Sequence, residues 1–129
     1  MSQNDQLVPH SIEKPGLIQG LAIMTLINGI LNLIWSVLVA IFLAATFLGI
    51  ICIPLAGYPL ALGILEIIYA ARLLSTPTRN LRPAKHLAVM EICNVLYANA
   101  LSLVVGILAL VFYDDALVKA FFQELEQPA

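Results

Sequence analysis

Charge is what this chain has least of. Its 129 residues include 6 Lys or Arg and 8 Asp or Glu, 11% in all, where an average soluble domain carries about 25%. That scarcity excludes a disordered polyelectrolyte, which needs high charge and low hydrophobicity. No basic stretch invites a nucleic-acid partner. Cysteine is scarce as well: Cys52 and Cys93 stand alone, with no metal-ligand spacing around them. His10 and His86 are equally isolated, and neither a nucleophile motif nor a phosphate-cradling glycine loop is present. No catalytic residue, metal or cofactor is therefore expected. What fills the chain is apolar side chain, 61% of it, with a mean hydropathy of +0.97. Such a composition implies an integral membrane protein whose first partner is the lipid bilayer.

Residues 1–15 form a polar arm with Asp5, Pro9, Glu13, Lys14 and Pro15. A secretory signal would begin with basic residues and a short apolar core. Here an acidic arm precedes an apolar run of about 30 residues, so the first span is expected to be retained. From residue 16 to residue 74 only Glu66 and Arg72 are charged. Gly49, Pro54, Gly57 and Pro59 read as a turn and divide this length into spans at 17–47 and 58–74. A third segment cut near Trp35 and Ser36 would leave spans below the usual minimum of about 17 residues. The segment STPTRNLRPAK is the clearest loop, and Arg72, Arg79, Arg82 and Lys85 cluster in and around it. By the positive-inside rule it is expected in the cytoplasm together with the N-terminal arm, leaving the apolar turn outside.

The run 86–113, HLAVMEICNVLYANALSLVVGILALVFY, reads as the third span and carries one carboxylate, Glu91. A buried Cys93 is expected inside it. After it, Asp114 or Asp115 can cap a C-terminal helix over 114–129. Leu117, Val118, Phe121, Phe122 and Leu125 fall on one side of that helix, as suits a surface-lying amphipathic element or one docked onto the spans. The expected fold is thus an all-α helical membrane bundle: three transmembrane helices plus a short C-terminal amphipathic helix. It is expected in the cell membrane, with the N-terminus cytoplasmic and the C-terminus outside.

Polar residues within the spans are the candidate functional groups. At about 100° per residue, Thr25, Asn28, Gly29, Asn32 and Ser36 share one face of span one. Gly63, Glu66, Tyr69 and Ala70 share a face of span two, and Glu91, Asn94, Ala98, Ser102 and Ala109 a face of span three. Gly29, Asn32, Ser36, Gly63, Ala98 and Ser102 are the small or polar residues through which membrane helices pack. Thr25, Asn28, Glu66, Glu91 and Asn94 fall at similar depths, about 8–16 Å from the inner ends. They are expected to cluster, with Glu66, Glu91, Asn28 and Asn94 sharing a proton or carboxyl–amide bonds. The alternatives are that each carboxylate is bonded separately, or that Glu66 faces a neighbouring subunit. There is also an internal echo: the 21 residues from Leu21 align without gaps on those from Leu87, matching Asn28 to Asn94 and Ser36 to Ser102. A duplication would make spans one and three parallel.

The order of LIQGLAIMTLINGIL, an apolar turn ending in YPLALGILEII, a basic loop and CNVLYANALSLVVGI resembles the first three spans of the membrane-spanning four-domain subfamily A tetraspans. The resemblance covers about residues 17 to 108 and is carried chiefly by Tyr58, Pro59, Gly63 and small residues. The chain departs from that pattern in lacking a clear fourth span. The resemblance implies a small oligomeric scaffold or modulator of other membrane proteins, without catalysis. The residues alone leave two functions open: a structural or accessory subunit in a homo-oligomer or larger membrane complex, and ion or proton permeation using Glu66 and Glu91.

Overall fold

The computed structural model describes residues 14–46, 49–75 and 81–127, and these are helical without any strand. Most of the N-terminal arm, with His10, lies outside the described residues, as does Arg79. Helix α1 spans Gly16–Ala44 and α2 spans Gly49–Leu74. They run antiparallel, because partners descend along α2 as they ascend α1. Lys14 Nζ donates to the carbonyls of Leu73 and Leu74 at 3.1 Å, and to that of Ser75. Further along, Gly29 faces Gly63, and Ser36 Oγ donates to Ala56 O at 3.0 Å. The two glycines let the backbones touch: a Cβ on Gly63 would lie 2.7 Å from Gly29 O. The lysine ammonium satisfies the last carbonyls of α2, where the helix dipole is negative. Partial burial lowers its pKa from the ordinary lysine value.

The expected turn over residues 49–59 belongs instead to α2, which contains both Pro54 and Pro59. A proline removes one backbone donor, yet membrane helices tolerate it where neighbours supply hydrogen bonds. The reversal occurs before it, where Gly49 packs against the carbonyl of Leu43 with no room for a side chain.

The run 86–113 is not one helix. Helix α3, Lys85–Cys93, passes into a single 3-10 turn over Asn94–Tyr97; the chain reverses at Ala98, φ 58°, and α4 occupies Ala100–Asp114. The two arms pack against each other. A Cβ on Gly106 of α4 would lie 2.6 Å from Ala88 O and 2.9 Å from Glu91 Cβ, and Asp114 at the end of α4 pairs with Lys85 at the start of α3 at 3.4 Å. A signal for the reversal is Asn99, whose side chain accepts from Ser102 N at 3.2 Å and caps α4. The 21-residue echo is therefore not repeated in three dimensions, since its first copy is straight and its second folds back.

Helix α5, Ala116–Glu126, bends 72° away from α4. Asp115 Oδ1 caps it by accepting from Leu117 N at 2.8 Å. Val118, Phe121, Phe122 and Leu125 are buried, with Phe122 packed on Tyr113 at 6.1 Å, so this face docks onto the bundle. Leu117, expected on that face, is 63% exposed. Glu126 reaches back to Arg82 at 3.3 Å. The tail thus sits at the same end as Lys14 and the basic loop, and the expectation of opposite ends is corrected. The arms of the hairpin are antiparallel, so the chain returns to the end it left.

Two helices, α1 and residues 54–74 of α2, are long and apolar enough to cross a membrane, or three if the bent pair α4 and α5 counts as one span. In a background without Cys52 and Cys93, Ser75→Cys and Gln123→Cys should label with an impermeant maleimide from one and the same side of sealed vesicles. Labelling from opposite sides would overturn the hairpin. At the tip, Ala98→Val should lower the melting temperature by the equivalent of about 1–2 kcal/mol, because a β-branched side chain suits φ > 0 poorly, while Ala98→Gly should not destabilise.

Candidate functional site

Helical periodicity turns one stripe of each segment inward, and the polar residues of those stripes meet. Glu66 is fully buried and Glu91 is 1% exposed. Asn28 and Asn32, one turn apart on α1, straddle the Glu66 carboxylate: Asn28 Nδ2 donates to Oε1 at 3.0 Å and Asn32 Nδ2 to Oε2 at 2.9 Å. Both carboxylate oxygens thereby find amide donors on one neighbouring helix. Asn28 Nδ2 also donates to Ser102 Oγ on α4 at 3.3 Å. Asn32 Oδ1 accepts twice, from Asn94 Nδ2 at 2.8 Å and from Asn99 Nδ2 at 2.7 Å. One amide therefore joins α1 to α2, to the 3-10 turn and to the N-cap of α4.

Glu91 approaches from α3 as the buried electrostatic neighbour of the Glu66 carboxyl group. Two neighbouring carboxyl groups can bond only with a proton on one of them, since an ionised carboxylate only accepts. Three buried oxygens remain without a hydrogen-bond partner among the described residues: Asn28 Oδ1, Glu91 Oε2 and Asn94 Oδ1. All three are acceptors, in a core where the four amide NH2 groups already donate.

Around this core the hairpin tip is bonded through its backbone. Trp35 Nε1 donates to Tyr97 O at 3.0 Å, and Tyr58 Oη donates to Met90 O at 2.8 Å while its ring stacks on Tyr97 at 5.3 Å. Towards the other end, Tyr69 Oη donates to Arg82 O at 3.1 Å and accepts from Ala84 N at 3.3 Å and from Tyr113 Oη at 3.2 Å. Aromatic hydroxyls thus tie α2 to the hairpin above and below the carboxyl pair.

Of the expected cluster, Glu66, Glu91, Asn28 and Asn94 come together, and Thr25 is buried one turn below Asn28. Asn32 and Ser102, expected as packing residues, belong to the polar network itself. Gly29 and Gly63 are at the α1–α2 contact, whereas Ala98 is exposed at the reversal and packs no helix. Asn99 was not anticipated; the polar residue before a small-residue run is its only local signal. Arg72, Arg82 and Lys85 lie near one end of the bundle, with Arg82 and Lys85 in exposed ion pairs. Cys93 is exposed rather than buried, and both cysteines are free.

No protein-family model, curated protein or solved structure matches the chain.

The two carboxyls should respond unequally to amide substitution. Gln at position 91 can donate to Glu66, but Gln at 66 turns an NH2 towards an asparagine NH2. Glu66→Gln should therefore cost more than Glu91→Gln in an SDS-unfolding titration, and the double variant should show coupling of about 0.5–3 kcal/mol. Additive effects would remove the contact. Asn32→Ala strands three partners and should cost about 2–4 kcal/mol, more than Thr25→Ala, in the same assay.

Proposed function

We propose that this chain is a non-catalytic membrane protein that works as a structural or accessory subunit in a homo-oligomer or larger complex. The observation that carries this reading is the division of its polar and apolar groups. The intramembrane amides and carboxyls are spent on joining α1, α2 and the α3–α4 hairpin, while the outward faces present Ile27, Ile34, Leu38, Ile41 and Phe42 on α1 and Ile51 and Leu55 on α2. The hairpin tip meets α1 at Trp35 and α2 at Tyr58. Beyond that level α1 and α2 continue for about 13 Å with, among the described residues, only each other to pack against. That upper part is the natural place for a neighbouring helix.

In this reading α1 and α2 cross the membrane, α3–α4 is a re-entrant hairpin that enters and leaves on one side, and α5 lies on that side. Lys14, Arg72, Arg82, Lys85 and Lys119 then all belong to the cytoplasmic face, in keeping with the positive-inside rule. Both termini are cytoplasmic, and the membrane is the cell membrane. Cross-linking in native membranes followed by size analysis in mild detergent should give a discrete species larger than one chain. A strictly monomeric, partnerless protein would refute this reading.

Ion or proton permeation is the second reading, favoured by the Glu66–Glu91 contact and the three buried oxygens without partners. One chain of this size can hardly enclose a pathway, so permeation too requires an oligomer. Proton flux in proteoliposomes that vanishes in Glu91→Gln, under conditions where that variant remains folded, would support it. Flux that survives loss of both carboxyls would eliminate it.

A further inference from the structure

A second feature lies outside the carboxyl core, where the last turns of α2 diverge from the start of α3. An open groove of about 460 Å³ runs there, its walls including Leu65, Ile68 and Leu87 and its rim Arg72, Arg82 and His86. Leu65, Ile68 and Arg72 are spaced i, i+3 and i+7 and so share one face of α2. Leu65 and Ile68 are 45% and 46% exposed, and they lie about 10 Å and 6 Å deeper along the helix than Arg72. The groove is therefore apolar where the chain is inside the membrane and cationic where it emerges.

We infer that this groove binds an anionic phospholipid, with the phosphate held by Arg72, Arg82 and a ring N–H of His86 and one acyl chain lying along Leu65, Ile68 and Leu87. The inference rests on the reading that this end of the bundle meets the membrane surface. Charge selects the occupant. Among the described residues no carboxylate is paired with Arg72, and the Arg82 partner, Glu126, is held in an ion pair whose side chains are 84% and 51% exposed. A solvent-exposed pair of this kind exchanges readily for another anion. Guanidinium groups offer planar forks of donors that match phosphate oxygens, and the apolar wall excludes a preference for a small hydrated anion. Glu126 thus competes with the lipid for Arg82.

Native mass spectrometry of the full chain in mild detergent tests this, titrating dioleoyl phosphatidylglycerol against dioleoyl phosphatidylcholine, with inorganic phosphate as a third arm. Phosphatidylglycerol should bind more tightly than phosphatidylcholine by about thirtyfold, the attraction of two basic residues. Arg72→Gln with Arg82→Gln should abolish that preference while leaving the helical circular dichroism and the lipid-free melting temperature unchanged. Glu126→Gln should strengthen phosphatidylglycerol binding, and Leu65→Trp, which fills the wall without altering charge, should weaken it. Equal binding of the two lipids, or a preference that persists in the double arginine variant, overturns the proposal. So does competition by inorganic phosphate at concentrations comparable to the lipid, which would mean a bare anion site. None of these outcomes depends on whether the protein has a partner or conducts ions.

Discussion

The constraint that governs this fold is the cost of non-helical backbone away from water. A chain that reverses at Ala98, beside the middle of two membrane-length helices, leaves peptide groups without their helical partners. In hydrocarbon each such group costs several kcal/mol unless protein satisfies it. Trp35 answers this constraint from α1 by donating to the carbonyl of Tyr97, and Asn99 Oδ1 by accepting from Ser102 N, while Asn32 holds the side-chain amides of Asn94 and Asn99 on either side of the reversal. The tip is tenable because α1 carries an amide and an indole at the matching height. The NH2 group of the same Asn32 amide donates to Glu66, so that buried donor is satisfied as well.

The carboxyl group of Glu66 therefore has a structural reason to be there, and Glu91 is tolerable on similar grounds. An ionised acid in the apolar interior is expensive alone, but a carboxyl group beside another can stay protonated and so lower the charge to be buried. Close packing makes the arrangement reachable. Gly29 against Gly63 brings α2 near enough for Glu66 to meet two asparagines, and Gly106 against Ala88 brings α4 close against α3, the arm that carries Glu91. Small residues and polar groups act together, the first setting the distance over which the second can bond.

The polar stripe on α1 was legible in the sequence because it depends only on helical periodicity, which survives any arrangement of neighbours. Thr25, Asn28, Gly29, Asn32 and Ser36 are all buried. Glu66 and Glu91 were legible as partners from depth alone. The hairpin was not, for a physical reason: its reversal has neither glycine nor proline, and a left-handed alanine leaves no mark in composition. Pro54 and Pro59 misled in the opposite sense, since they look like a turn but sit within α2. The hairpin error then carried into topology. One continuous third helix would have delivered Asp114 to the far side, whereas the folded arms return it to Lys85.

That return explains why α5 has the composition it has. A tail at the far end would have nothing to dock on except lipid, and its apolar face would serve as an anchor. At the near end it covers a mixed surface made of Tyr113, Leu81 and the foot of α1, where Val118, Phe121, Phe122 and Leu125 complete an apolar cluster with Ile18, Leu21 and Leu73. Three ion pairs, Arg82 with Glu126 and Asp114 with both Lys85 and Lys119, then rim that cluster. Each is exposed and individually weak. Their value lies in position, because they join α5 and α4 to the basic loop at the point where the hairpin begins and ends. A shift of the α3–α4 tip against Asn32 would have to be accommodated at this rim, and the tail closes the bundle from the side on which the hairpin entered.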